Sequence, residues 1–268
     1  MEANEAVTLA RRGARPYDRR MQSVLITGAG KRIGRAIAEA MAADGWFVWI
    51  HYNGSRDEAA DAVSAIRARG GQAKAVKADL ANARQTEALI GKCSDGPDLT
   101  CLINNASLFE LDRPGDFTLE QWDRHQAINL RAPAILARDF ARALKPRNTG
   151  TIINLLDQKL WALNPDFYSY TISKVALKGV TEVLARAYAP HIRVCGIAPG
   201  ITLPAARQSQ ERFEKAQRST PLGVGASPAD LVRTVRYILA TPSLTGAMIV
   251  VDGGEHLGKP ATDVQFRK

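Results

Sequence analysis

Short apolar runs alternate with longer amphipathic segments along most of the chain. Seven of the runs are rich in branched residues and are bounded by glycine, proline or polar residues, so each predicts a β-strand. The predicted strands are Ser23–Thr27, Trp46–His51, Ala73–Lys77, Leu99–Ile103, Thr151–Leu156, Ile192–Ile197 and Ala247–Val251. The segments between them predict helices at Arg35–Ala43, Arg56–Arg69, Ala83–Cys93, Leu119–Leu144, Tyr168–Tyr188 and Pro228–Ala240.

Strands that alternate with helices in this way are typical of a parallel sheet covered on both faces. The sequence therefore predicts an α/β fold, a Rossmann-type doubly wound parallel seven-stranded sheet in a single domain spanning residues 21–258. Residues 203–224 interrupt the alternation with a polar segment, which we interpret as an excursion over the sheet edge that acts as a lid.

The two termini lie outside this pattern. Residues 1–20 contain five arginines, and residues 259–268 form a C-terminal tail. Two interpretations of the first segment stay open: a disordered basic arm, or a start-site choice that makes Met21 the true beginning. The segment lacks the apolar stretch of a secretory signal, and no run in the chain approaches the roughly 20 apolar residues of a membrane span.

Composition narrows the functional classes. The formal net charge is +9, but no dense basic block with interleaved aromatic residues is present, so we expect no nucleic-acid partner and no membrane partner. The three cysteines, Cys93, Cys101 and Cys195, have no metal-ligand spacing, so we expect no metal and a reducing, cytoplasmic compartment.

A glycine-rich segment, Thr27-Gly28-Ala29-Gly30-Lys31-Arg32-Ile33-Gly34, joins the first predicted strand to the first predicted helix. Glycines let the backbone approach a pyrophosphate, and the free amides at a helix N-terminus attract its charge. An ordinary strand-to-helix turn is the alternative interpretation. The position at the first strand-to-helix junction favours a dinucleotide site.

The residues after the second strand favour NADPH over NADH. An NAD site usually places an acidic residue there, whereas this chain has His51-Tyr52-Asn53-Gly54-Ser55-Arg56. With Lys31 and Arg32 in the glycine loop, these donors could surround a 2′-phosphate.

Tyr170 and Lys174 are four residues apart on a predicted helix and so occupy the same helix face. A phenol with an ordinary pKa near 10 is a poor acid at neutral pH, and a neighbouring ammonium favours its charged form. The pair lies between the fifth and sixth strands, before Pro199-Gly200, where open α/β sheets bind ligands. This placement predicts a proton-transfer site.

From about Met21 to Gly254 the chain resembles the short-chain dehydrogenase/reductase family. The ordered motifs that carry the resemblance are Thr27 to Gly34, Asp79, Asn104-Asn105-Ala106, Asn129, Tyr170 with Lys174, Pro199-Gly200, and Asp252-Gly253-Gly254. The resemblance implies that Tyr170 donates the proton, Lys174 binds the nicotinamide ribose and Asn129 supports a water relay. We expect cofactor contacts from Gly28, Lys31, Arg32, Ile33, Gly34, His51, Tyr52, Asn53, Ser55, Asp79, Leu80, Asn105, Ala106, Ser107, Tyr170, Lys174, Pro199 and Gly200.

Two departures from the family pattern point to a subgroup. Arg32 stands where most members have glycine, and Asp157 stands thirteen positions before Tyr170, where most have a catalytic serine. Both are similar to pteridine and dihydromonapterin reductases, in which the equivalent of Phe109 stacks the pterin against the nicotinamide. A carboxylate can hold two donor groups of a nitrogen heterocycle, and an aromatic ring offers it a flat face. The alternative interpretation is that Asp157 has a structural role and that Phe109 packs in the hydrophobic core.

The sequence thus predicts an NADPH-dependent reductase of a pterin, with catalytic residues Tyr170, Lys174, Asp157 and Asn129 and substrate contacts from Phe109, Asp157, Tyr170 and Leu203. A reductase of another carbonyl substrate, such as a 3-oxoacyl thioester, is the nearest alternative. A catalytically idle NADPH sensor or nucleic-acid-binding protein is a third. The resemblance also implies a homotetramer that packs the predicted helices 119–144 and 168–188 across one interface.

Overall fold

The computed structural model describes residues 22–205 and 208–258. The expected basic arm and the C-terminal tail lie outside the described residues. Seven parallel strands form one sheet in the order β3-β2-β1-β4-β5-β6-β7. The strands are β1 Ser23–Ile26, β2 Phe47–Tyr52, β3 Gln72–Lys77, β4 Leu99–Asn104, β5 Gly150–Leu155, β6 Ile192–Pro199 and β7 Met248–Val251. The predicted sheet is confirmed.

Eight α-helices connect the strands of the described chain. They are α1 Arg32–Ala43, α2 Arg56–Ala68, α3 Ala83–Gly91, α4 Leu119–Gln126, α5 Ala132–Ala143, α6 Tyr168–Tyr188, α7 Gln210–Arg218 and α8 Pro228–Ala240. Within the described residues, none of them combines the length and apolar character that a membrane crossing needs.

The core has two layers because successive side chains of a strand point to opposite faces of the sheet. Val24 and Ile26 of β1 pack with α1, α2 and α8, whereas Leu25 packs with α3, α5 and α6. All six residues of β5 are buried, as expected for a strand covered on both faces. The strand order reverses between β1 and β4, which places a crevice at their carboxyl ends.

The structure divides the predicted helix 119–144 into three parts. Helix α4 begins with a capping box between Thr118 and Gln121, a π-helical turn follows at Ala127–Arg131, and α5 then continues. The π-turn widens the helix at Asn129, which is buried. Insertions of this kind often mark functional sites.

The segment 203–224 is more regular than predicted, since it contains α7. Ser209 caps this helix by accepting a hydrogen bond from the backbone nitrogen of Arg212. Only Phe213 and Ala216 of α7 are buried. The rest of α7 is strongly polar, so the segment has few of the apolar residues by which a buried helix is identified in a sequence, which explains why the helix was missed.

Candidate functional site

The loop between β1 and α1 brings three backbone segments into close contact. Gly28 has a φ of +64°, a conformation that favours glycine. A Cβ on Gly34 would lie 2.4 Å from the Gly28 oxygen and 2.6 Å from Nδ2 of Asn105. Asn105 Nδ2 donates to the carbonyl of Thr27 at 2.8 Å, which fastens the loop to the end of β4. The crossing leaves no room for a side chain at position 34.

Helix α1 begins at this loop without a side-chain cap. The N-cap residue is Lys31, and its side chain accepts no hydrogen bond from the first-turn amides in the described structure. Such amides and the helix dipole attract an anion. The loop geometry therefore fits a dinucleotide pyrophosphate, as the sequence predicts.

Arg32 is exposed at the edge of the loop, with a φ of +56°. Its Nη1 donates to the carbonyl of Pro204 at 3.0 Å, so the side chain bridges the glycine loop and the segment after β6. Lys31 Nζ lies 3.8 Å from Glu58 Oε1. Both cations lie where the loop opens to solvent.

His51 does not face the expected phosphate position. It is 2% exposed, its Nδ1 accepts from the Gly28 amide at 3.1 Å, and its Nε2 lies 3.1 Å from the Ala78 carbonyl. These partners require the neutral ring with the proton on Nε2. Burial lowers the pKa of His51 to about 4, which keeps the ring neutral. Both ring nitrogens of His51 therefore bond within the protein and support the glycine loop, and the expected contact with the cofactor stays a prediction.

Other predicted cofactor residues lie around the same crevice. Asn53 is exposed and donates to Asp79 Oδ1 at 3.4 Å, and Asp79 Oδ1 also accepts from the Ala81 amide. Leu80 is buried and belongs to the core cluster of β1 and α3. Its side chain therefore supports the crevice wall, which leaves only its backbone for a ligand. The half-buried Tyr52, Ser55, Ile33 and Ala106 and the exposed Ser107 lie on the adjoining strand ends and loops.

The proton-transfer candidates meet between β5 and α6. The Tyr170 hydroxyl donates to Asp157 Oδ2 at 2.6 Å, and the Lys174 ammonium donates to the Leu155 carbonyl at 2.6 Å. Lys174 Nζ lies 5.7 Å from the centre of the Tyr170 ring. The structure thus brings together Tyr170, Lys174 and Asp157.

Burial changes the acidity of two of these groups. It lowers the pKa of Lys174 to about 8, and the nearby Asp157 carboxylate opposes this shift. It also raises the pKa of Asp157, against the hydrogen bond from Tyr170 and the charges of Lys159 and Lys174. Removing a charged group from water disfavours its ionised form, so both shifts have the same origin.

Asn129 holds the segment after β4. Its Oδ1 accepts from the Leu108 amide at 2.8 Å, and its Nδ2 donates to the Leu108 carbonyl at 2.9 Å and to Ser173 Oγ at 3.0 Å. Among the described residues, no hydrogen bond links Asn129 to Lys174. The water relay stays a prediction, whereas the clamp on Leu108 was not foreseen.

Two phenylalanines form an aromatic wall next to Tyr170. Phe109 stacks on Phe167 with ring centres 4.1 Å apart, and its ring meets Tyr170 edge to face at 4.7 Å. Phe109 is 42% exposed, so it retains an open surface. The core-packing alternative does not account for this exposure, because a core side chain would be covered on all sides.

A cavity of about 190 Å³ lies beside these groups. Three of the four predicted substrate contacts line it, Phe109, Asp157 and Leu203, whereas Tyr170 is not part of the lining. Arg32, Pro199 and Gly200 lie at its wall. Gln158, Lys159 and Glu255 also line it and were missed. Gln158 and Lys159 are one and two positions after Asp157, which was the available signal for them, and Glu255 follows the Asp252-Gly253-Gly254 motif.

Gly200 permits the close approach that shapes one side of the cavity. A Cβ there would lie 2.6 Å from the Asp252 Cβ and 2.8 Å from Glu255 Oε2. A larger cavity of about 460 Å³ lies between α3 and α5, at the opposite end of the strands, and contains none of the predicted site residues. The residues that line the smaller cavity, and not the cavity volume, therefore identify the candidate site.

Comparison with known proteins places these features in a family. The model of the short chain dehydrogenase family matches residues 22–215. A 3-oxoacyl-[acyl-carrier-protein] reductase of Synechocystis sp. is 29% identical over 238 residues, covering 87% of this chain and 96% of the relative.

Two solved structures are similar over almost the whole fold. FolM alternative dihydrofolate reductase 1 from Brucella suis, in complex with NADP, has a TM-score of 0.85 and 44% identity, covering 89% of this chain and 96% of that chain. The angucycline C-6 ketoreductase LanV with bound NADP has a TM-score of 0.81 and 31% identity, with 88% and 96% covered. The sheet order, the glycine loop, the Tyr170–Lys174 pair and these matches show that the chain belongs to the short-chain dehydrogenase family of oxidoreductases.

Proposed function

We propose that this chain is an NADPH-dependent reductase of a pterin, converting a dihydropterin to a tetrahydropterin. The observation that carries the proposal is the Asp157 carboxylate, which accepts the Tyr170 hydroxyl at 2.6 Å inside a cavity walled by Phe109. A serine at position 157 would lack the two acceptor oxygens that a nitrogen heterocycle can use. The similarity to the FolM alternative dihydrofolate reductase of Brucella suis supports the same substrate class.

The residues of the crevice fit NADPH. The uncapped start of α1 and the tight crossing at Gly34 would hold the pyrophosphate, while Arg32 and Lys31 would hold the 2′-phosphate with Asn53 and its neighbours. The second strand ends without an acidic side chain that would repel this phosphate. Two similar proteins, from the FolM and LanV structures, were crystallised with NADP.

NADPH, when bound, supplies the hydride. Tyr170 holds the proton that the substrate takes up, and Asp157 keeps the hydroxyl oriented through the 2.6 Å bond. Because burial raises the pKa of Asp157, the carboxyl can hold a proton close to a ring nitrogen. The charged Lys174 beneath the Tyr170 ring favours the phenolate left behind. Phe109 would orient the heterocycle by stacking. Leu203 and Ala205 line the cavity and would help to keep water from the bound substrate.

Reduction of a 3-oxoacyl thioester is the second candidate. The Synechocystis relative that carries this activity in its name supports it. The Tyr170–Lys174 pair serves carbonyl reduction equally well, so the two candidates differ at Asp157, Arg32 and Phe109.

Steady-state assays with dihydrobiopterin, dihydromonapterin and acetoacetyl thioesters separate the candidates. We expect NADPH-dependent turnover of a dihydropterin, with NADH much less efficient. Asp157→Ser, which introduces the residue usual in the family, should lower pterin turnover at least about tenfold and leave NADPH binding intact. Turnover of thioesters alone would establish the second candidate, and NADPH binding without any turnover would point to an idle sensor.

We also infer a homotetramer in the cytoplasm. Helices α4 and α6 carry exposed apolar side chains, Leu119 at 76% and Val183 at 66%, on the surfaces expected to pair. The free thiols of Cys93, Cys101 and Cys195 are buried, which suits a reducing compartment. Gel filtration at a monomer mass would contradict the tetramer.

A further inference from the structure

Gln158 is a buried polar residue whose hydrogen bonding is incomplete. It follows Asp157 and opens the short 3-10 turn Gln158–Leu160. The residue is 8% exposed and lines the cavity together with Phe109 and Leu203. Among the described residues, nothing donates a hydrogen bond to its buried Oε1 atom.

A buried acceptor without a donor destabilises the folded state, because it has given up water and gained nothing in return. Such groups are rare in native structures, and one that lines a cavity is accounted for by a ligand that supplies the donor. Leucine or methionine would fill the same position without this cost. The retained amide therefore indicates a binding role for Gln158.

The neighbouring acceptor residues, Asp157 and Glu255, already accept hydrogen bonds from the protein. Asp157 accepts from Tyr170 through Oδ2 and from the Lys159 amide through Oδ1. Glu255 Oε2 accepts from the Ile201 amide at 3.3 Å. Gln158 thus adds an amide whose buried oxygen has no donor among the described residues to a cavity lining that is rich in acceptors and that also includes Phe109 and Leu203.

We propose that Gln158 accepts a hydrogen bond from an N–H group of the substrate and so selects a flat heterocycle that carries an amino group. This specificity rests on the proposed pterin reductase function, since a pterin has a 2-amino group beside a ring N–H. A 3-oxoacyl group has no N–H next to its reacting carbonyl. Sites that hydrogen-bond a substrate reject analogues lacking the partner group, because the protein's own polar atom is then left buried and unpaired.

Gln158→Leu and Gln158→Met test the proposal with two substrates, dihydrobiopterin and its analogue with a methyl group in place of the 2-amino group. For dihydrobiopterin, KM should rise about tenfold in both variants, with kcat and the NADPH Kd changed by less than about threefold. The wild-type preference for the amino substrate should shrink to nearly none. The melting temperature should not fall, since each variant removes an unpaired buried acceptor.

Gln208→Leu is the matched control. Gln208 also lines the cavity, but its Oε1 already accepts from the Ala205 amide at 3.2 Å. This variant should keep the wild-type preference for the 2-amino substrate. Thermal melts and NADPH titration of every variant check that the fold and cofactor site are intact.

The possible failures are distinguishable. A wild-type enzyme that reduces dihydrobiopterin, together with variants at position 158 that keep the wild-type KM and amino preference, overturns the role of Gln158 alone. A wild-type enzyme that reduces thioesters but no dihydropterin overturns the proposed function and this inference with it.

Discussion

Replacing Arg32 separates its effect on stability from its effect on cofactor binding. Arg32 has a φ of +56°, which costs a residue other than glycine about 1–2 kcal/mol. Glycine relieves that strain but loses about 0.4–1 kcal/mol through the entropy of the unfolded chain. Arg32→Gly should therefore be more stable than Arg32→Ala by up to about 1.6 kcal/mol, or roughly 3–6 °C in melting temperature. Both variants lose the same bond to the Pro204 carbonyl.

Cofactor affinity should change in a different way. Both variants lose the guanidinium that we propose meets the 2′-phosphate, and a charge-assisted hydrogen bond contributes about 1.5–3 kcal/mol. Because Arg32 is exposed, we expect the lower end of this range, about a tenfold loss of NADPH affinity. The loss should be the same for both variants, since neither retains the charge.

NADPH fluorescence titration and thermal melts measure the two quantities. NADH serves as the ligand control, because it lacks the 2′-phosphate and should bind both variants as it binds the wild type. Arg35→Ala is the protein control, since Arg35 lies three residues further along α1 and pairs with Glu39 at 2.8 Å. Wild-type NADPH affinity in both Arg32 variants, or an equal loss for NADH, would refute the assignment.

Three further outcomes are expected. Tyr170→Phe removes the hydroxyl that donates to Asp157 and should lower turnover at least about tenfold while NADPH still binds; full activity would contradict its role as proton donor. Gly34→Ala should destabilise the protein by about 1–3 kcal/mol and weaken NADPH binding, because the new Cβ would lie 2.4 Å from the Gly28 oxygen. Gly91→Ala, where a Cβ meets nothing within 4 Å, should do neither. His51 has a folded pKa of about 4, below its ordinary 6.5, so protonation of the unfolded chain should remove about 2 kcal/mol of stability between pH 7 and pH 5. Denaturation of His51→Gln at both pH values should show a smaller loss, and an equal loss would exclude His51 as the cause.

Local patterns were sufficient for the architecture of this chain. Apolar runs alternating with amphipathic segments led to the parallel sheet, and glycines at the first strand-to-helix junction led to the phosphate loop. The four-residue spacing of Tyr170 and Lys174 on a helix placed both at one site. These features depend on a few consecutive residues, whose periodicity and conformational freedom are set by covalent geometry.

Contacts between residues far apart in the sequence decided the orientation and the hydrogen-bond partners of the site residues. The sequence around His51 suggests a phosphate ligand, yet the packing of β2 between β1 and β3 directs its ring to the Gly28 amide and the Ala78 carbonyl. Asn129 clamps Leu108 because a π-turn displaces it within a helix that looks continuous in sequence.

The acceptor wall of the cavity likewise exists only in three dimensions. Asp157 and Gln158 look like ordinary polar residues after a strand, and nothing in their spacing shows that the Gln158 oxygen is buried without a donor. Burial and hydrogen bonding depend on what the neighbouring elements leave uncovered, and therefore on how β5, α6 and the segment after β6 pack together. Local sequence determined which elements form, whereas tertiary packing determined which polar atoms remain available to a substrate.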